Sequence, residues 1–471
     1  GNFSIGAGTD IRVFEKGKLA AAAAGLALAL SIGAAGCGAG NKEAVENVSG
    51  EAGDAGEEAG ADAGSEAEDA DGQKVQLPEY TPVAPDSVAE SAEGDFIIEN
   101  DGSGRVYITG YQGAGGQVKI PAHLGGAETI SIMSDAFKGN EAITYIYIPE
   151  TVTMIEKSSF RGCTSLEEAY IGASALSIAE STFRGCTALR RVELAGAVST
   201  IEGGMDTGAF QDCTSLTEVV FPDTLNNRID MNAFRGCTAL ETVDLSNTQL
   251  LGIGQLAFGY CENLKTVKLP ATTQWVENNS FLADPALTEF IVGEGNTVLE
   301  VEDGVVYTLD DCGREPAGTA LFGLEGAMGE DLVIREGTVA VAGHSFSHNQ
   351  KIRTVKLPDS VKEIGSSAFS DCPSLAQADL GNGVETIEQM AFESCVKLEE
   401  INLPASLTKL EDSSFAFCGL KKVSLPDNVK YSSGSSTQKY VFAGNTDAVF
   451  TYQGQEYTYD QAGQLDAFLM K

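Results

Sequence analysis

Histidine and tryptophan are nearly missing from this 471-residue chain, which holds three of the first and one of the second; aromatic residues make up only 7%. Imidazole-based catalysis and His-rich metal centres therefore have few places to sit. His344 and His348 stand four apart, a spacing that can put two ligands on one helix face. They flank Phe346 in what reads as a turn, however, with no third ligand nearby, so no metal is expected. Trp275 alone cannot furnish the aromatic repeats of a polysaccharide module. Positive charge is also scarce. Thirty basic residues face 68 acidic ones, a net charge of −38, which makes nucleic acid and bare anionic membrane poor partners. Gly113-Ala-Gly-Gly116 has no following helix pattern or lysine and is no phosphate loop. Asn100-Asp101-Gly-Ser-Gly104 lacks the later ligands of a calcium loop and reads as a β-turn. No nucleophile–base set has any spacing logic. The expectation is a non-enzymatic protein without a cofactor.

What the chain has in abundance is one short phrase, returning about every 23 residues. It reads Ser159-Phe160-Arg-Gly-Cys163, Thr182-Phe183-Arg-Gly-Cys186, Ala209-Phe210-Gln-Asp-Cys213, Ala233-Phe234-Arg-Gly-Cys237 and Ala257-Phe258-Gly-Tyr-Cys261. It comes back as Ala368-Phe369-Ser-Asp-Cys372, Ala391-Phe392-Glu-Ser-Cys395 and Ser414-Phe415-Ala-Phe-Cys418, and Phe137, Phe281 and Phe346 head three more copies. Three residues past each cysteine a second half begins, as in Leu189, Val192, Leu194 or Leu240, Val243, Leu245. Its last apolar pair alternates with polar residues, the pattern of a short strand with one buried face. Proline often follows at once (Pro149, Pro222, Pro270, Pro358, Pro404, Pro426), which stops the strand. A fixed period of this size is the mark of a solenoid, in which each coil buries its apolar face against its neighbours. Solenoids usually work by displaying a long surface, so a binding face is sought before a catalytic pocket.

The phrase fits the leucine-rich repeat skeleton and, more narrowly, resembles the BspA-type repeat over roughly residues 95 to 471. The resemblance implies an α/β-type solenoid of about eleven coils with short parallel strands on one face, and a turn or helical segment in each coil. It also implies a surface protein adhering to an extracellular protein of host matrix or a neighbouring cell. A structural or glycan-binding component of the cell envelope is the alternative. The 65-residue interval from Phe281 to Phe346 contains Asp303-Gly304 inside 301–307, a hairpin signature. It is taken as a variant, hairpin-bearing repeat.

Eight of the ten cysteines (Cys163, Cys186, Cys213, Cys237, Cys261, Cys372, Cys395 and Cys418) share one slot, which Asn140, Asp284 and Asn349 fill elsewhere. A slot accepting Cys, Asn or Asp holds a small inward group that satisfies turn backbone. Coils about 4.8 Å apart would put neighbouring Cβ atoms beyond the about 3.5–4.5 Å that disulfides prefer. These eight are expected to be a ladder of free, buried thiols. Cys312, inside the insertion, is expected to be exposed and without a role.

The amino end supplies a different signal. Arg12, Lys16 and Lys18 precede an apolar run over 19–32, then Gly33-Ala-Ala-Gly-Cys37. Basic residues, an apolar stretch and small residues describe a secretory signal, and Ala-Ala-Gly-Cys resembles a bacterial lipobox, with lipidation at Cys37. Residues 38–94 carry fifteen acidic residues against Lys42 and Lys74, too little apolar surface to fold. The resulting layout is a signal and lipobox over 1–37, a disordered acidic linker over 38–94 and an amino-terminal cap over 95–136. A first array over 137–290, the variant repeat over 291–345, a second array over 346–426 and a carboxy-terminal cap over 427–471 follow. The expected location is the outer face of the cell membrane, with membrane contact only through the lipid.

Outward strand positions are mostly small or charged. The exception is Tyr145, Tyr147 and Tyr170 on the first two coils, which should stack within about 10 Å. Tyrosine combines apolar area with a polar tip and recurs at interface hot spots. These three are the candidate ligand-binding residues, unless the amino-terminal cap folds over them.

Overall fold

The computed structural model describes residues 78–470, so Cys37 and the segment read as signal, together with the linker up to residue 77, lie outside the described residues. From Pro82 onward the chain winds as a parallel-strand solenoid of about 15 turns, more than the eleven phenylalanine phrases suggested. Each coil contributes a strand of three to six residues to one face. Gly116–Lys119, Ile143–Ile148, Glu168–Ile171, Arg191–Leu194 and Glu218–Val220 form the first sheet, with Tyr145 opposite Glu168 and Tyr147 opposite Tyr170. Three further sheets continue the face, beginning at Thr242–Asp244, Asp331–Val333 and Glu400–Asn402. The face therefore splits after Val220, Val292 and Asp379.

The half of each coil expected to be turn or helix is turn. Two-residue strands such as Ser177–Ile178, Thr200–Ile201 and Arg228–Ile229 form a second parallel ladder. The phenylalanine phrase then reverses the chain. Among the described residues the α-helix is the four-residue Asp466–Leu469. The backbone explains this. Most phrases put two residues in the left-handed region, one two before phenylalanine and one two after, as at Ser158 and Gly162, Ser181 and Gly185, Asn232 and Gly236; the Phe281 and Phe442 phrases keep only the second, and around Phe210 the first moves back to Asp206. Consecutive left-handed excursions cannot continue a right-handed helix. Glycine, asparagine, aspartate and serine recur there because glycine meets no Cβ penalty and short polar side chains tolerate it better than most. His344 and His348 occupy these two positions around Phe346, with φ of 57° and 64°, which accounts for their spacing without a metal.

Phenylalanine rings stack through the array. Phe137, Phe160, Phe183, Phe210, Phe234 and Phe258 follow one another at 4.7–5.3 Å with planes within 10° of parallel. Phe346, Phe369, Phe392 and Phe415 do the same beyond the insertion, and Phe442 adds a further rung, with Asn445 in the cysteine slot. The array thus runs on into the segment assigned as carboxy-terminal cap. Closure comes only where Gln455–Thr458 pairs antiparallel with Val449–Tyr452.

Between 291 and 345, Leu299–Glu302 and Val305–Thr308 form a hairpin across Asp303-Gly304, and Thr319–Gly323 pairs with its second strand before rejoining the ladder at Ala340–Val341. The buried apolar side chains form two clusters that meet here. Cys312 corrects the expectation of exposure: it is buried, and Val276 N–H donates to its Sγ at 3.4 Å. The turn carrying it docks on the last coil of the first array, with Asn278 bonded to Glu315 and Arg314 paired with Glu277.

The linker also ends earlier than residue 94. Val88 is buried, Pro85–Ser87 and Glu93–Asp95 form 3-10 turns, and Ser91 exchanges hydrogen bonds with the Lys119 backbone at 3.0 and 3.1 Å. Acidic composition hid a segment anchored by a few spaced residues.

Candidate functional surface

The eight ladder cysteines come together as two columns, Cys163 to Cys261 before the insertion and Cys372 to Cys418 after it, and none is bonded to another cysteine. Each thiol donates to the phenylalanine carbonyl of the preceding coil, from Cys163 to Phe137 at 3.1 Å through Cys418 to Phe392 at 3.1 Å. Asn445 makes the same bond, to Phe415 at 2.8 Å. At 445 asparagine thus replaces the thiol as donor, whereas Asn140 and Asn349 accept through Oδ1 from the turn N–H groups of Ile143 and Ile352. Burial raises the pKa of Cys213, Cys237 and Cys261 above that of an ordinary thiol, so these sulfurs stay protonated and unreactive. Asp284 fills the slot where the stack of turns is interrupted; its Oδ1 accepts from Cys261 N–H, and burial lifts its carboxyl well above the usual range.

The outward face of the first sheet is where the coils differ most. Tyr147 and Tyr170 stack at 5.0 Å with planes 9° apart, and Lys119 Nζ sits 4.6 Å from the Tyr147 ring centroid. Both rings are half-buried. Tyr145 departs from the expectation of an exposed group. It is only 1% exposed although it stands outside the hydrophobic core, and its hydroxyl has no hydrogen-bond partner. Burial, then the neighbouring Glu168, pushes its pKa up. Glu168, one rung along, is equally buried and accepts from Val83 N–H at 2.9 Å and from Arg191 at 3.1 Å. Arg191 also pairs with Glu193 and Glu218, both at 3.0 Å. Tyr145 and Glu168 point away from the core and are nevertheless dry, because residues 83–91 cross over them. The crossing chain lies over this part of the face, and Lys119, from the segment expected as the cap over 95–136, lies over the Tyr147 ring.

Among the described residues no group of three or more His, Cys, Asp or Glu side chains is arranged to hold a metal ion, and no helix is long and apolar enough to cross a membrane. A shallow depression of about 720 Å³ lies beside Gln377, Asp379, Glu400 and Asn402, where the sheet face splits. It brings no set of convergent catalytic groups together.

The family model for the BspA type leucine rich repeat region matches six copies across residues 118–205, 204–303 and 327–447. Among solved structures, a leucine rich cell surface protein from Faecalibacterium prausnitzii A2-165 is 21% identical, with a TM-score of 0.55 over 81% of this chain and 99% of that one. The pneumococcal vaccine antigen PcpA is 19% identical, with a TM-score of 0.50 over 79% of this chain and 94% of that one. At these identities the likeness is one of fold. A search of curated proteins finds no match.

Proposed function

The chain belongs to the BspA-type leucine-rich repeat family, and from that premise we propose that it is a non-catalytic cell-surface binding protein whose recognition surface is the sheet face around Tyr147 and Tyr170. The observation that supports this is the stacked, half-buried aromatic pair on a face whose other outward positions are mostly small or charged, with single aliphatic residues at Val220, Ile291 and Val333. In a sheet a cross-strand aromatic pair contributes about 0.2–1 kcal/mol. A recognition face gains broad apolar contact with a polar tip at little entropic cost. The ligand in this reading is an extracellular protein, of host matrix or a neighbouring cell. Tyr147→Ala with Tyr170→Ala should weaken capture of that ligand at least tenfold, about 1.4 kcal/mol, in a pull-down against extracellular matrix proteins with purified cell wall as the comparison bait. The melting temperature should hardly move. A large loss of stability would make the pair structural, and retention on cell wall alone would favour an envelope role.

The same reading places the protein on the outer face of the membrane through a lipid on Cys37. Labelled palmitate should be incorporated by the natural chain and not by Cys37→Ala. Equal labelling of both would remove the anchor.

A further inference from the structure

The tyrosine face already has an occupant, the segment at residues 82–91, and this occupant is a poor fit in one respect. Its contacts with the face recur at irregular intervals. Val83 donates its N–H to Glu168, Val88 is buried, and Ser91 bonds both ways to Lys119; Pro85, between them, is partly buried. Pro82, Ala84, Asp86, Ser87, Ala89 and Glu90 are exposed. Ala84, with φ −72° and ψ 119°, is extended as the residue before a proline prefers. The strap thus crosses from the coil of Glu168 back to that of Lys119, transverse to the strands. It is held by one charge-assisted hydrogen bond, two backbone-anchored bonds and a few apolar side chains. Beneath it the Tyr145 hydroxyl is fully buried and unpartnered. Buried polar groups nearly always find a partner, and leaving one unmet costs about 1–3 kcal/mol. The face therefore contains a hydrogen-bonding group that the strap does not use.

We infer that the strap is an internal stand-in for the ligand: the face binds a peptide segment of the pattern apolar-x-Pro-x-x-apolar that turns at its proline, and residues 82–91 hold it closed until such a peptide displaces them. This rests on the proposed binding role of Tyr147 and Tyr170 and adds the chemical class of the ligand. Glu168 takes a backbone N–H near the leading apolar residue, as it takes that of Val83. The proline-led turn lies near the stacked tyrosines, since Asp86, beside Pro85, is among the neighbouring charges that, after burial, raise the pKa of Tyr147 and Tyr170. A partner that also bonds the Tyr145 hydroxyl gains an interaction the strap lacks, which lets an external segment compete with one that is covalently tethered. A tethered occupant otherwise wins through its high effective concentration.

The test uses the full chain and a fluorescent peptide copying residues 82–92. Two variants loosen the strap without touching the coils: Val83→Pro, which removes the N–H given to Glu168, and Val83→Pro with Val88→Ser, which also removes the buried apolar contact. Fluorescence anisotropy should show at least tenfold tighter peptide binding to both variants than to the natural chain. Hydrogen exchange should show residues 83–91 losing protection while the coils keep theirs. Adding Tyr147→Ala and Tyr170→Ala to the double variant should abolish the gain. Equal peptide binding by natural and loosened chains, or binding that survives loss of both tyrosines, would overturn the inference. In that case, ligand capture still lowered by the tyrosine pair alone would leave the proposed function standing. Capture unaffected by the pair would remove both.

Discussion

The coils before the insertion and the coils after it are built from the same phrase, yet they use their surfaces differently. Before it, the sheet face carries stacked tyrosines, a buried Glu168 and a crossing strap. After it, the equivalent outward positions are Thr354 and Lys356, Gln377 and Asp379, Glu400 and Asn402, with no segment bonded across them among the described residues. Charge is concentrated instead on the second ladder, where burial and the nearby Glu363 and Glu411 raise the pKa of Glu388, and Lys409 pairs with Glu411 at 2.6 Å. The interior is common to both halves and the exterior is not. In a solenoid this division is natural, because the core slots are fixed by contacts between neighbouring coils while outward slots are free to vary.

The sharpest way to break the comparison is to attack the shared interior. Phe234 lies between Phe210 at 4.9 Å and Phe258 at 5.1 Å, and Phe392 between Phe369 at 5.1 Å and Phe415 at 5.0 Å. Either residue changed to alanine should cost about 3–5 kcal/mol. Because the apolar clusters divide at the insertion, Phe234→Ala should lower amide protection in coils before residue 291 far more than in coils after 346. Phe392→Ala should do the reverse. Uniform loss across the chain in both variants would show that the insertion joins the arrays into one cooperative unit.

Second in size is a pH effect confined to the later coils. Burial first, then the charge of Glu363, raises the Glu388 pKa from the ordinary 4.5 to about 7. A carboxyl whose folded pKa is raised binds its proton more tightly in the folded state. Its stabilising contribution is therefore present at low pH and is lost as pH rises from about 4.5 to about 7, then stays constant. Allowing for its partial exposure and for Lys409 nearby, the loss should be on the order of 2 kcal/mol. Glu388→Gln keeps an acceptor for the Ser366 N–H, which lies 2.8 Å from the carboxylate. Urea midpoints of natural chain and variant should converge at pH 4.5 and separate by pH 7.5, the variant being the more stable. Parallel curves would show that the carboxylates are solvated and independent.

Where the sequence could be read and where it could not follows the same division. Phenylalanine and cysteine slots were legible because a coil's interior repeats with the coil. The Phe442 rung obeyed the identical rule, with Asn445 three residues on, and was missed only because residues 427–471 were set aside as a cap. Cys312 had no repeat neighbour to reveal its slot; its bond to Val276 spans 36 residues and depends on how the insertion folds back. Tyr145 was placed correctly on the outer face by strand alternation, since Ile146 and Ile148 enter the core. Its burial could not be read there, because the Val83–Glu168 contact spans 85 residues and comes from a segment whose composition is acidic and whose anchors follow neither strand nor helix period. Periodicity reveals contacts between equivalent positions and says nothing of a segment that crosses them once.

The smallest effect tests whether the turns on the two sides are equally relaxed. The left-handed position before the cysteine slot is Gly162 and Gly185 in early coils and Ser394 in a late one, with φ of 69°, 71° and 61°. A Cβ on Gly162 would meet nothing closer than the Gly139 Cα at 4.0 Å, so space is open and only the backbone conformation opposes a side chain. Gly162→Ala should therefore cost about 1 kcal/mol, the order expected for a non-glycine residue held in this region. Ser394→Gly should run the other way. It relieves the same penalty but adds freedom to the unfolded chain, roughly 0.5–1 kcal/mol in the opposite sense, so the net gain should be a few tenths of a kcal/mol at most. Paired melting curves measure both. A cost at Gly162 well above the conformational one would mean that the early coils are packed more tightly against each other than their open Cβ positions indicate. A loss at Ser394 would mean that its side chain contributes more to the turn than its backbone strain takes away.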